Sequence, residues 1–342
     1  MTTFRRTFIA SALASALASA LLAAPFAALA QDIKPRLIRF GYGLVENSNQ
    51  GRAVKFFADH VEKASGGKMR VRAIGAAALG PDTQMQQALI GGAQEMMVGS
   101  TATLVGITKE MALWDTPFLF NNVREADAVL DGPVGQKVMD RLQAGGLVGL
   151  VYWENGFRNL TNSRKPVTKW EDFAGVKVRV MQNNIFLDTF RTLGANAVPM
   201  AFGEVFTALE TKAIDGQENP FVTIDTSKLY EVQKFLSVTR HAYTPFMVLF
   251  SKPLWDRLSK DEQSALQACA VEGRDEQRKV SRALSEKSLA NLKARGMQVN
   301  DIDPKERQRM FEKAKTVYEK HQGTIGADTV KRMLDNLAQI RR

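Results

Sequence analysis

The two halves of this chain carry the same order of elements, and that recurrence narrows the folds open to it. In the first half, RLIRFGYGL (Arg36 to Leu44) reads as a strand. SNQGRAVKFFADHVEKASGG follows, with Ala53, Phe56, Phe57, His60 and Val61 at helical spacing and Gly66-Gly67 as a stop. MRVRAIG alternates as a strand, with Met69, Val71 and Ala73 on one face. Gly80-Pro81-Asp82 opens a second helix, which ends at Gly91-Gly92, and EMMVGS is a short buried strand. In the second half, GVKVRVM is a strand and NNIFLDTFRTLG a helix stopped by Gly194. NAVPM is a short strand, FGEVFTALETK a helix, and AIDGQENP the next strand edge and loop. Strands alternating with helices build a largely parallel sheet. The halves share rhythm rather than sequence identity. The expectation is an α/β protein of two similar lobes facing each other.

From Ser259 to Gly296 the chain is strongly helical, and SKDE forms a capping box in which Glu262 sits three positions after Ser259. About 36 helical residues would span roughly 54 Å, more than one small domain. Two readings stand: one helix crossing both lobes, or two helices broken at Gly273. DPKERQRMFEKAKTVYEKHQG and ADTVKRMLDNLAQIRR read as two further helices.

The first 32 residues, MTTFRRTFIASALASALASALLAAPFAALAQD, combine Arg5-Arg6, an Ala- and Leu-rich run, and the small-residue site Ala28-Leu29-Ala30. Residues 1–30 are expected to be a signal peptide, by the general route or, from RRTFIA, the twin-arginine route. The mature chain is then periplasmic. No cysteine stands at the cleavage site, and the single Cys269 cannot form an internal disulfide, so it reads as a packing residue. The remaining length, about 310 residues, suffices for two domains. The net charge of +10 comes from Lys and Arg mixed with Asp and Glu, without a basic tract carrying aromatics. Nucleic acid is therefore not an expected partner. A mildly positive exported protein favours anionic ligands.

Catalytic signatures are missing: no G-x-x-x-x-G-K, no G-x-S-x-G, no H-E-x-x-H. His60, His241 and His321 lie far apart without acidic or cysteine companions at ligand spacing, so neither metal nor cofactor is expected. Glu204, Asp215 and Glu218 form the one candidate acid/base set, although Asp215-Gly216 reads first as a turn. What remains is an arginine-and-amide group. Val176, Val178 and Val180 share one face of a strand, and Lys177, Arg179 and Met181 the other. Arg179 is either a solvent-facing charge or, near the carboxyl end of a parallel strand, a ligand group. An arginine there offers a fork that grips a carboxylate through two parallel hydrogen bonds. VYWENGFRNLTNS carries a second arginine, Arg158, beside Trp153, Asn155 and Phe157. Asn219 precedes Pro220 at what reads as a loop tip, where proline pushes it toward an extended conformation.

GVKVRVM…LGANAVPMAFGEVFTALETKAIDGQENP…KLYEVQKFLSVTRH resembles the solute-binding proteins of TRAP transporters, of the C4-dicarboxylate-binding type. GKMRVRAIGAAALG, ALIGGAQEMMVGS and WDTPFLF fit the same family. The resemblance implies a two-lobed periplasmic receptor with hinge strands and a long lobe-spanning helix. It implies delivery of an organic acid to a membrane permease of a small and a large subunit, driven by an ion gradient. One lobe is expected at 31–155 plus about 245–280, the other at 156–244 plus about 281–342 with the C-terminal helices. The family's carboxylate clamp falls on Arg179, its second arginine on Arg158, and its ligand-contacting asparagine on Asn219. Many relatives carry His-Pro after the first strand, where this chain has GLVENSNQGRA. Glu46, Asn47 and Ser48 are the candidate contacts there. Trp114, Trp153, Phe157, Phe202 and Phe221 are candidates to pack on an apolar ligand body. The expected protein is a monomer and not an enzyme. Its ligand is left open among a dicarboxylate, a 2-oxo or hydroxy acid, and an aromatic monocarboxylate. A receptor for another importer or a sensor kinase, and an exported hydrolase using Glu204, Asp215 or Glu218, are the alternatives.

Overall fold

Two long strands run through the middle of one sheet. The computed structural model describes residues 32–342, so the expected leader at 1–30 lies outside the described residues. The long strands are β4, Leu147–Asn162, and β8, Phe235–Ser251, which pair antiparallel. On one side lie β1 (Arg36–Tyr42), β2 (Met69–Ile74) and β3 (Met96–Ser100), and on the other β5 (Lys177–Val180), β6 (Asn196–Pro199) and β7 (Gly216–Asn219). The order is β2-β1-β3-β8-β4-β7-β5-β6, with β9 (Gln298–Asp301) beside β8. The two expected lobe sheets are thus the ends of a single mixed sheet. Each end is internally parallel, β1 with β2 and β3, β5 with β6 and β7. Antiparallel pairing enters where β4 and β8 join them.

β4 and β8 are buried along nearly their whole length. Their ladder is irregular where it crosses between the ends, with register shifts at Gly149/Val151, Glu154/Gly156 and Arg158/Leu160. Gly156 (φ +118°) and Arg240 (φ +43°) adopt left-handed backbone there. Such bulges bend strands and re-aim side chains. Glu154 faces Pro245, which has no N–H to give. The side chain of Gln277 supplies the missing partner, donating to the Glu154 carbonyl at 2.7 Å and accepting its N–H at 2.7 Å.

Gln277 belongs to α8 (Lys260–Ala294), a single helix of 35 residues. To its N-terminal side come α1 (Asn49–Ala64), α2 (Asp82–Ile90), α3 (Val123–Leu130), α4 (Pro133–Asp140), α5 (Asn184–Thr192), α6 (Val205–Glu210) and α7 (Phe221–Thr226). The capping box of α8 is formed: Ser259 accepts the Glu262 N–H, and Glu262 accepts the Ser259 N–H. Gly273 does not break the helix. It lies on the face turned to Trp153 and Phe57, where an added Cβ would meet both at ordinary contact distance, inside an unbroken helix. Asn49 of α1 bonds Ser281 at 3.0 Å and Asp225 of α7 bonds Asn291 at 3.2 Å, which ties α8 to both ends of the sheet.

Two helices finish the chain, α9 (Pro304–Ile325) and α10 (Ala327–Ile340). α9 packs against α5. Val330, Met333 and Leu337 of α10 bury themselves with Val129, Leu130 and Val138 of α3 and α4. The last helix therefore returns to the first half, whereas the sequence division assigned all of 281–342 to the second lobe. Cys269 is free and buried in the first-half core. Among the described residues no helix is long and apolar enough to cross a membrane.

Candidate ligand-binding cleft

Val178, Arg179 and Val180 of β5 are all buried, so of the two readings of Arg179 the solvent-facing one does not hold. Val176, Val178 and Val180 join one core, while Arg179 on the opposite face is only 1% exposed. Its Nε and Nη2 both donate to the Met200 carbonyl, at 2.9 and 2.6 Å. Nη1 has only the Met181 thioether at 3.8 Å, and the Phe202 ring lies 6.0 Å from the guanidinium carbon. No carboxylate of the described residues forms an ion pair with it. Burial, with the Arg158 charge, pushes its pKa down to about 10 against the upward pull of Glu218, Asp82 and Glu204. The group is therefore a cation at neutral pH, buried and without a carboxylate partner.

Arg158, on β4, is also excluded from solvent but differently served. Its Nε donates to Glu218 Oε2 and its Nη2 to Glu218 Oε1 at 2.9 Å, a fork-to-carboxylate pair. Nη2 also reaches the Glu218 carbonyl at 2.7 Å and Asn219 Oδ1 at 3.1 Å. Glu218 is gripped from the other side by His241 Nε2 at 3.0 Å, whose Nδ1 meets the Thr239 hydroxyl at 2.8 Å. Burial alone would raise the Glu218 pKa, but the Arg158 charge and the His241 and Arg158 hydrogen bonds outweigh it and hold it at about 2. Burial keeps His241 below its ordinary value, so it stays neutral, with Nε2–H facing the carboxylate. One nitrogen of Arg158, Nη1, is buried with no partner.

Asn219 is not at a loop tip. It ends β7, opposite Asn159 of β4, and its amide is used on both sides: Oδ1 takes Arg158, and Nδ2 donates to Gln217 Oε1 at 2.6 Å. Two small chambers open between the halves. One, about 40 Å³, is walled by Arg179, Ala201 and Gln182. The other, about 50 Å³, is walled by Arg158, Asn219 and Thr223. Gly43, Asp82, Met181 and Phe202 border both.

The cleft thus brings Arg179, Arg158 and Asn219 together. It does not gather the expected first-half contacts. Glu46 and Asn47 are exposed and line neither chamber. Ser48 caps α1, accepting the Gly51 N–H at 3.2 Å while donating to the Val45 carbonyl at 2.6 Å. Gly51 passes so close to the Glu46 backbone that any side chain would strike it, which folds this loop back on the helix. The wall is made instead by Gly43, Leu44 and Gln50 of the same segment, with Asp82 and Ser100. Trp153 is likewise core: it packs with Phe40, 6.3 Å between ring centroids, facing α1 and α8. Of the named aromatics, Phe202 alone borders the chambers. Nor do Glu204, Asp215 and Glu218 meet. Glu204 is exposed, Asp215 accepts the Lys177 N–H at 2.8 Å, and Glu218 is consumed by Arg158 and His241.

Residues 40–324 match bacterial extracellular solute-binding protein family 7. The chain is 38% identical over 269 residues to the 2,3-diketo-L-gulonate-binding periplasmic protein YiaO of Escherichia coli K12, covering 78% of this chain and 82% of that protein. It is similar to the crystal structure of the sugar acid binding protein DctPAm of Advenella mimigardefordensis in complex with galactonate, with a TM-score of 0.89 and 49% identity over 90% of this chain and 99% of that one. A TRAP periplasmic solute-binding protein of Polaromonas sp. JS666 bound to D-erythronate aligns with a TM-score of 0.83 and 34% identity, over 87% of this chain and 97% of that one.

Proposed function

From the premise that this chain belongs to bacterial extracellular solute-binding protein family 7, the TRAP periplasmic receptors, we propose that it captures a small organic acid by its carboxylate and delivers it to a TRAP permease. The observation that carries the reading is Arg179. A buried charge without a counterion is strongly unfavourable, and a ligand carboxylate is the group that would complete it. Arg179 Nη1 and the unpartnered Arg158 Nη1 supply the donors. Asn219 holds Arg158 in place and has one amide hydrogen left for the ligand. The acids named for the similar proteins, diketogulonate, galactonate and erythronate, are all carboxylates.

The lobes of this receptor are β1–β3 with α1–α4 and α10, and β5–β7 with α5–α7 and α9. β4, β8 and α8 join them, and the irregular stretch around Gly156 and Arg240 is the hinge. Closure over the ligand removes water and strengthens the ion pair with Arg179. The chain is exported to the periplasm, and the partner is a membrane permease of a small and a large subunit.

The test is calorimetric titration of D-galactonate into the mature chain and into Arg179→Ala. A hydrogen bond to a charged group is worth about 1.5–3 kcal/mol, so the variant should bind about 10- to 100-fold more weakly while remaining folded. An unchanged affinity in the variant would remove Arg179 from the clamp.

A further inference from the structure

Asp82 stands on the opposite wall of the cleft from Arg179 and borders both chambers. It is the first residue of α2, half-buried, with Oδ2 accepting the Ser100 N–H at 3.0 Å. The carboxylate lies over Gly99 of β3, where an added side chain would come within 2.8 Å of Oδ2, so glycine there keeps the space open. Oδ1 accepts no hydrogen bond among the described residues and points along the wall at Gly43. Asp82 and Arg179 border one chamber with opposite charges, yet they form no ion pair. The cleft therefore offers a bare cation on one wall and a bare acceptor on the other. Gln50 adds a donor beside this acceptor: its Oε1 is occupied by the Leu44 N–H at 3.1 Å, which leaves its amide hydrogens to donate to a ligand oxygen.

We propose that Asp82 is a specificity-determining residue of this receptor: it accepts hydrogen bonds from hydroxyl groups of the bound acid and repels a second carboxylate. The cleft then takes polyhydroxylated monocarboxylates and rejects dicarboxylates. The inference rests on the carboxylate reading of Arg179, because the head group must be fixed there for the hydroxylated tail to reach Asp82. Desolvation, opposed by the Ser100 N–H and the Arg179 charge, pushes the Asp82 pKa up to about 6, which is the signature of an anion short of donors. Ligand hydroxyls supply those donors. A second carboxylate placed there would set two like charges together in a water-poor site.

The experiment titrates D-galactonate and succinate separately into the mature wild type, Asp82→Asn, Asp82→Glu and Arg179→Ala. Wild type should bind galactonate and bind succinate far more weakly. Asp82→Asn should weaken galactonate about tenfold or more, the loss of a charge-assisted hydrogen bond, and strengthen succinate. Asp82→Glu keeps the charge and should still exclude succinate, which separates charge from shape. The melting temperature of each ligand-free variant establishes that it is folded. A wild type that binds succinate as well as galactonate, or an Asp82→Asn variant with an unaltered ratio, overturns the role of Asp82 and leaves the Arg179 reading intact. Galactonate binding that survives Arg179→Ala overturns that reading and this inference with it.

Discussion

Arg158 and Arg179 flank the same strand, β7, from β4 and β5, and both are shut away from solvent. They nevertheless do opposite things. Arg158 is met by Glu218 and Asn219, and Glu218 is itself braced by His241. Arg179 has a carbonyl and a sulfur. A buried charge whose counterion is internal fixes the architecture around it, even where, as at Arg158 Nη1, one nitrogen is left over for a ligand. One whose partner is missing is a place for something to arrive. Burial and residue type do not separate the two cases, and only the partner inventory does.

The comparison can be broken most forcefully at Glu218. Glu218→Gln leaves Arg158 buried beside a neutral amide, and removing one partner of a buried pair costs about 3–5 kcal/mol. Urea unfolding should show that loss, and a variant as stable as wild type would mean that Arg158 is not held as described. Arg179→Met should do the reverse in the ligand-free protein. It removes an uncompensated cation, so stability should hold or rise by about 1 kcal/mol, the low end of the gain seen when buried charges become apolar. A fall comparable to that of Glu218→Gln would erase the distinction between the two arginines.

The smallest effect is in pH. Glu218 is depressed to about 2, so its contribution is present above the ordinary carboxylate range and is lost as pH falls toward 2. Asp82 is raised to about 6, so the folded state holds its proton more tightly, and ionising it costs stability as pH rises from about 4 through 6. Ligand-free Asp82→Asn should therefore melt above wild type at pH 7 and converge with it near pH 4. Because Asp82 is half-buried, the gap should be a few degrees at most, and melting curves at several pH values read it directly.

Much of this was legible because it is local. Helical and strand periodicities in the two halves survive without knowledge of neighbours, and so does the strand that carries Arg179. What was not legible depends on what packs opposite. β4 and β8 join two sheets into one, but their polar residues and bulges hide them from an alternation pattern. Gly273 reads as a possible break in isolation and sits inside a continuous helix, on the face that packs toward Trp153 and Phe57. Trp153 belongs to the core for the same reason, although it lies beside the cleft motifs. Asp82 was concealed by a second meaning, since Gly-Pro-Asp is also an ordinary helix start. Glu218 looked like a possible acid catalyst only because its two partners, 60 residues upstream and 23 downstream, are not visible from the motif. Ser48 carried a signal that was overlooked: a serine just before a helical pattern is an N-cap first.

The return of α10 to α3 and α4 has a consequence for how the molecule is made. Val330, Met333 and Leu337 complete a hydrophobic core begun around Val129. A ribosome adding roughly 5–20 residues per second needs about 10–40 s to travel from α4 to α10. Until α10 arrives, the face of α3 and α4 that Val330, Met333 and Leu337 cover is open to water. The native first half is completed only when the last helix of the chain is available, and a first lobe truncated before α10 should expose that apolar face and aggregate more readily than the whole chain.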